Sequence, residues 1–61
     1  MNYTDWQLEL IKVIVNDPIF DQPNKAMNGE INCVLNNDFK ESYESGDTPQ
    51  EAWESEKSYW D

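Results

Sequence analysis

The sequence predicts an all-α protein with a single domain, residues 1–61, built as a small bundle of three, or at most four, short helices. Two observations indicate this fold class. Apolar residues recur at intervals of three and four in two long segments, which is the repeat of a helix that buries one side. Helix-capping patterns precede the first segment and the last part of the chain. A chain this short buries only about 60% of its surface, so helix packing or a partner must supply its stability.

The stretch NYTDWQLELIKVIVNDP predicts the first helix, over about residues 5–16. Thr4 is expected to cap the first free amides with Gln7 completing a capping box, while Tyr3 packs against Leu8. The proline that closes the stretch disfavours helix in the residue before it and so ends the helix. A β-strand through the β-branched run IKVIV is the competing local interpretation, and the capping pattern outweighs it.

Apolar side chains cover more than half of the circumference of this first helix. One stripe consists of Trp6, Leu10, Val13 and Ile14. Leu8, Ile11 and Val15 extend this stripe on its flanks. An arc this wide suits a helix that is contacted on two sides. The rest of the chain is the simplest cover, and a second copy or a target is the alternative.

The middle of the chain begins with a connector over residues 17–25, from which Ile19 and Phe20 are expected to fold onto the core. Beyond it, apolar residues recur at helical spacing: Met27, Ile31, Val34, Leu35, Phe39 and Tyr43. Asp38 and Glu41 match a second capping box. The region therefore predicts either one helix or two, over about residues 24–36 and 39–45.

The stretch SGDTPQEAWESEKSYWD carries the strongest local signal in the sequence. Gly46 is suited to end a helix in a left-handed conformation. Thr48, Pro49 and Glu51 then supply an N-cap, a first-turn proline and the third-position acid of a capping box. These residues predict a tight turn followed by a helix from about Pro49 to Tyr59.

Large aromatic residues lie along this last helix at intervals of seven. Trp53 pairs in this way with Trp60, and Ala52 with Tyr59, which predicts one aromatic side. We expect Trp53 in the core, where tryptophan buries a large area. Trp60 either docks to hold the last helix in place or binds a partner.

Catalysis and metal binding are not expected from this composition. With Cys33 as the only cysteine and no histidine, neither an intramolecular disulfide nor a Cys/His zinc site can form. Cys33 also lacks a histidine to activate it, so we expect it at the edge of a helix interface. A catalytic carboxylate pair needs a cleft that so short a chain can scarcely enclose, and no stretch has the order of a calcium-binding EF-hand loop. We expect neither an enzyme nor a cofactor.

Negative charge dominates the chain and is concentrated in its second half. Thirteen Asp and Glu stand against four Lys and no Arg, which gives a net charge of −9; residues 38–61 hold eight of the acids and two of the lysines. This excess disfavours direct binding to nucleic acid or to an anionic membrane. A lone cysteine and the lack of a signal-type segment indicate a cytoplasmic protein.

The acidic runs have two interpretations. They can be solvated helix faces that keep a small protein soluble. Alternatively, acids three residues apart, as at Asp38, Glu41 and Glu44 or at Glu51 and Glu54, stand about 5–6 Å apart at their Cβ atoms. Successive phosphates on one strand of duplex DNA rise by about 3.4 Å, so two such faces can present a comparable row of charges.

In size, acidity, absence of arginine and predicted helical content, the whole chain resembles the small acidic inhibitors encoded by bacteriophages. These include anti-restriction and anti-CRISPR proteins that imitate DNA. The resemblance implies a stoichiometric inhibitor that occupies a basic groove of a nucleic-acid-processing enzyme in the host cytoplasm. It implies phosphate surrogates at Glu41, Glu44, Asp47, Glu51 and Glu54, and the expected partner-binding residues also include Asp38 and Trp60.

The alternative is a helical adaptor or a homodimer whose interface is formed by Leu8, Ile11 and Val15 of the first helix. The two hypotheses differ in their response to salt. Binding through acidic faces should weaken steeply as ionic strength rises, whereas binding through an apolar face should change little.

Overall fold

The structure is a computed structural model, which describes residues 1–20 and 25–59. Within these residues the chain forms four helices and no strand: α1 (Tyr3–Val15), α2 (Lys25–Leu35), α3 (Lys40–Glu44) and α4 (Pro49–Lys57). The all-α prediction is therefore confirmed, and the middle of the chain forms two helices. None of the described helices is long and apolar enough to cross a membrane.

The first helix is the centre of the bundle, because α1 packs against α2 on one side and against α4 on the other. The short α3 packs against α4. The buried core draws on α1, α2, α4 and the residue before α3, and consists of Trp6, Leu10, Ile14, Met27, Val34, Phe39, Ala52 and Trp53. Complete burial of each large side chain favours folding by about 1.5–3 kcal/mol before the entropy of ordering the chain is subtracted.

Helix α1 begins two residues earlier than predicted, because Asn2 and not Thr4 is its cap. The Asn2 Oδ1 atom accepts a hydrogen bond of 2.8 Å from the backbone N–H of Asp5. Asn is as good an N-cap as Thr, so the earlier residue takes the role and Thr4 lies inside the helix. Gln7 does not reach back to the cap. Its Nε2 donates to the carbonyl of Val34, 2.9 Å away, and so joins α1 to α2.

The predicted contact between Tyr3 and Leu8 is also wrong. Tyr3 instead joins an aromatic cluster at the start of α1, where its ring centroid lies 5.0 Å from that of Tyr43. The Tyr43 centroid is in turn 5.6 Å from that of Trp6, in an edge-to-face arrangement. Aromatic pairs at these separations are favourable, so Tyr3 packs toward the core while Leu8 stays 53% exposed.

The break between α2 and α3 lies at Asn37, which adopts a left-handed backbone with φ = 68°. Asn is one of the few residues that tolerate this conformation. The N-cap of α3 is Phe39, which makes no side-chain capping bond, so the predicted Asp38–Glu41 capping box is wrong. Phe39 is buried in the core, and its burial fixes the entry to α3 in place of a cap.

The turn into α4 agrees with the prediction. Gly46 is left-handed with φ = 86°, and both hydrogen bonds of the Thr48–Glu51 capping box are present. The helix ends at Lys57, two residues before the predicted end. Ala52 and Trp53 are buried as expected.

The aromatic side predicted for the last helix is wrong at Tyr59, which is 81% exposed. Tyr59 follows the end of α4, so the helical repeat no longer places it beside Ala52. Trp60 lies outside the described residues. In the connector, the Phe20 ring stacks 6.2 Å from Trp53, but Ile19 is half exposed.

Candidate protein-binding surfaces

The acids predicted to bind a partner lie on and around α3 and α4. We call them the acidic surface: Asp38, Glu41, Glu44, Asp47, Glu51 and Glu54. All of them are exposed except Asp47, which is half-buried in the turn between the two helices. Trp60, the remaining predicted residue, lies beyond the part of the chain that the structure describes.

The turn that joins the two halves of the acidic surface is fixed to the core through its backbone. The indole N–H of Trp6 donates to the carbonyl oxygen of Asp47 over 2.9 Å. On the other side of the turn, the Thr48 hydroxyl accepts from the N–H of Glu51 at 3.1 Å, and the Glu51 carboxylate accepts from the N–H of Thr48 at 2.9 Å. These bonds hold α3 and α4 at a fixed junction while leaving the carboxylates at the surface.

Most carboxylates of the acidic surface form no ion pair within the described residues. Among them only Glu54 does so, with its Oε1 atom 3.4 Å from the Lys57 Nζ, and it also accepts from Gln50 at 2.7 Å. Hydrogen bonds from the backbone and hydroxyl of Thr48 lower the pKa of Glu51. Glu51 is therefore charged at neutral pH with a margin to spare, and the surface keeps a strong negative field.

Lys57 is shared between Glu54 and Asp17, and its closer contact is with Asp17. The Asp17 Oδ2 atom accepts hydrogen bonds from Lys57 Nζ and, over 2.6 Å, from the indole N–H of Trp53. Its Oδ1 accepts from the backbone N–H of Ile19 at 2.9 Å. Partial burial acts to raise the pKa of Asp17, but these hydrogen bonds, first that from Lys57, lower it overall. The same contact with Asp17 raises the pKa of Lys57.

The role of Asp17 was not predicted, and the sequence gives no signal for it. It is one of thirteen acids, and its two side-chain partners on α4 are 36 and 40 residues away. Glu30 was missed as well, although it does carry a signal. It stands three residues after Met27 and four before Val34, so an acid occupies the side of α2 that faces the core.

Glu30 is the poorly accommodated acid of the bundle. Its Oε2 atom is buried and has no hydrogen-bond partner in the part of the chain that the structure describes. Burial, together with repulsion from Glu56 on α4, raises the pKa of Glu30.

The neighbouring Cys33 thiol also has a raised pKa. Burial is the main cause, and the hydrogen bond with Asp38 is the second. This thiol is therefore a weak nucleophile at neutral pH. No three acidic or cysteine side chains among the described residues are arranged to hold a metal ion.

A second exposed surface lies on α1 and is apolar. We call it the α1 strip: Leu8, Ile11 and Val15. Leu8 and Val15 are 53% and 47% exposed, while Ile11 is half-buried against the core. A shallow groove of about 540 Å³ runs beside the strip and is lined by Met1, Asp5, Leu8, Glu9, Ile11 and Lys12. The core thus covers only part of the wide apolar arc of α1.

No protein-family model matches this sequence, and neither a curated protein nor a solved structure matches it significantly. The two surfaces described above are therefore the basis for an inference about function.

Proposed function

We propose that this protein is a non-enzymatic acidic binding protein, of the kind that bacteriophages use as inhibitors, which occupies a basic nucleic-acid-binding groove of a host enzyme. The observation that carries the proposal is the acidic surface. Its carboxylates lie on and around two helices joined by a fixed turn, all but that of Asp47 are exposed, and only Glu54 among them shares a lysine within the described residues.

The small number of ion pairs matters because an unpaired carboxylate exerts its field over a longer range than a salt-bridged one. Lys57 is shared between Asp17 and Glu54, so within the described residues it is paired with only one acid of the acidic surface. At low ionic strength such a surface attracts a positively charged groove over a long range and raises the rate of association. Acids one helical turn apart stand about 5–6 Å from each other, which allows several of them to meet arginines or lysines that otherwise hold phosphates.

The proposed mechanism is competition, both steric and electrostatic, with nucleic acid. Glu51 is held in place by its bonds to Thr48, and the junction of α3 and α4 is fixed through Trp6 and Asp47. A surface already ordered before binding loses less entropy when its partner docks. Glu41 and Glu44 on α3 are exposed and form no ion pair with any described residue, so their side chains can adjust to the spacing of the partner's cations.

The test removes charge while keeping shape. A variant with Glu41→Gln and Glu44→Gln should fold as the wild type does, because both side chains are exposed and neither caps a helix. The matched control is Asp5→Asn with Glu9→Gln, which removes two charges from α1. Asp17 is unsuitable as a control because Trp53 and Lys57 depend on its carboxylate.

The assay immobilises each protein and captures partners from a bacterial lysate at low and at high salt, followed by elution with duplex DNA. We expect the wild type to retain a nucleic-acid-processing enzyme that salt and DNA both release. The Glu41/Glu44 variant should lose most of that capture, and adding Glu51→Gln and Glu54→Gln should abolish it; glutamine at position 51 can still accept the capping bond. Equal capture by the fully neutralised variant, or binding of the enzyme and DNA together, would mean that these acids serve solubility alone.

A further inference from the structure

The α1 strip is a second exposed surface, separate from the acidic surface. Its three members lie at positions 8, 11 and 15, so they recur at intervals of three and four along one side of the helix. Leu8 and Val15 are each about half exposed, and Leu8 and Ile11 line the shallow groove. Of the three, only Ile11 packs in part against the core, whose α1 side is formed by the buried Trp6, Leu10 and Ile14.

A second copy of the chain fits this strip poorly. A stable dimer buries about 800 Å² from each partner, and that would be about a fifth of the 4250 Å² that the chain exposes. Three side chains on one helix supply only part of that area. Each copy also has a net charge of −9, so bringing two copies together works against mutual repulsion.

We propose that the α1 strip binds a basic amphipathic helix of another protein. A helix of 13 residues such as α1 extends about 20 Å, which is enough for two turns of a partner helix to lie along it. Apolar anchors spaced by three and four residues on the partner would pack against Leu8, Ile11 and Val15, as in other helix-in-groove complexes. The interface is smaller than a dimer of globular chains requires.

Charge supports a basic occupant. Asp5 and Glu9 both line the groove, and Asp5 has no ion pair among the described residues. Glu9 pairs with Lys12 at 3.3 Å, but both side chains are largely in water. An exposed pair of this kind is weak, so Glu9 can exchange Lys12 for a cation of the partner. The overall charge of −9 adds a long-range attraction for lysine-rich helices and repels acidic ones.

The test titrates the full chain with three synthetic peptides of equal length. The first places leucines on one helical face and lysines on the other, the second has the same composition in scrambled order, and the third replaces the lysines by glutamates. Binding is measured by calorimetry at 50 mM and 300 mM salt. We expect saturable one-to-one binding of the first peptide only. Binding should persist at the higher salt, because apolar contacts are not screened.

The variant Leu8→Gln with Val15→Thr should weaken binding of the first peptide by at least about tenfold, since it removes two apolar anchors. Both residues are half exposed, so the helical circular dichroism should be unchanged. The Glu41→Gln, Glu44→Gln variant should bind this peptide within about threefold of wild type, which separates the α1 strip from the acidic surface.

Equal binding of the scrambled basic peptide would refute the proposal, because attraction by net charge alone would then explain the result. Equal binding of the acidic peptide, or no binding of any peptide, would refute it too. Sedimentation that reveals a wild-type dimer, converted to monomer by Leu8→Gln with Val15→Thr, would assign the strip to a second copy instead.

Discussion

The contact of Asp17 with α4 allows a sharp test of what holds the bundle together. Two tryptophan indoles donate to an aspartate, but in different ways. Trp53 donates to the Asp17 carboxylate at 2.6 Å, whereas Trp6 donates to the backbone carbonyl of Asp47 at 2.9 Å. Asp17→Asn places an amide where Trp53 and Lys57 now meet a charged acceptor. Asp47→Asn removes the same charge but leaves its carbonyl unchanged.

The expected loss of stability for Asp17→Asn follows from the burial of Trp53. A hydrogen bond to a charged group contributes about 1.5–3 kcal/mol. Asparagine removes the charge and keeps one side-chain oxygen, so either the donors on α4 or the N–H of Ile19 must lose an acceptor, at a penalty in the same range. We expect a fall in the free energy of unfolding of about 2–3 kcal/mol, or roughly 8–24 °C in Tm for a domain of this size. The total free energy of unfolding of a chain of this length is about 3–9 kcal/mol. Asp47→Asn should change stability by less than about 0.5 kcal/mol.

The same contact predicts how the difference in stability between the wild type and the Asp17→Asn variant depends on pH. Because the pKa of Asp17 is lowered in the folded state, its carboxylate stabilises the fold above the unfolded pKa of about 3.9. That contribution is lost as the pH falls through the lower, folded pKa. The gap between the wild type and the Asp17→Asn variant should therefore be constant between pH 7 and pH 5 and close below about pH 4.

The assay is urea unfolding followed by far-ultraviolet circular dichroism at pH 7, 5 and 3, with all three proteins measured side by side. If the Asp17→Asn variant stays within 0.5 kcal/mol of wild type at pH 7, the contact between Asp17 and α4 does not support the fold. If Asp47→Asn is equally destabilising, general loss of negative charge is responsible instead of the lost acceptor.

Two further predictions concern local features of the fold. Thr48→Ala should lower the free energy of unfolding by about 1 kcal/mol because it removes the N-cap of α4. Thr4→Ala should change it by less than about 0.5 kcal/mol. Equal urea midpoints for the two variants would contradict the assigned caps. Glu30→Gln should stabilise the protein at pH 7, because the raised pKa of Glu30 means that its charged form disfavours the folded state above that pKa. This gain should vanish at pH values below the unfolded pKa of about 4.3, where Glu30 is protonated in both states, and a gain that persists in urea unfolding at pH 3 would point to a cause other than charge.

The sequence by itself predicted the helical segments and the start of the last helix, α4. The capping box at Thr48 and the left-handed turn at Gly46 depend on bonds within four residues, so the local sequence contains all the information they need. The helical repeat likewise placed Trp53 in the core, because the position of a residue on its own helix does not depend on distant contacts. The dense run of acids on α3 and α4, and therefore the candidate acidic surface, was visible in the same way.

Only the tertiary structure decided which of the many acids forms a long-range contact and which of the apolar residues pack together. Asp17 binds across 36 and 40 residues to α4, while the acids of α3 form no ion pair among the described residues, and nothing local distinguishes them beforehand. Tyr3 packs with Tyr43 instead of Leu8, which leaves Leu8 exposed on the α1 strip. Such pairings depend on how the helices cross. Helix crossing is set by the joint packing of the whole core, and the spacing of residues along one helix does not encode it.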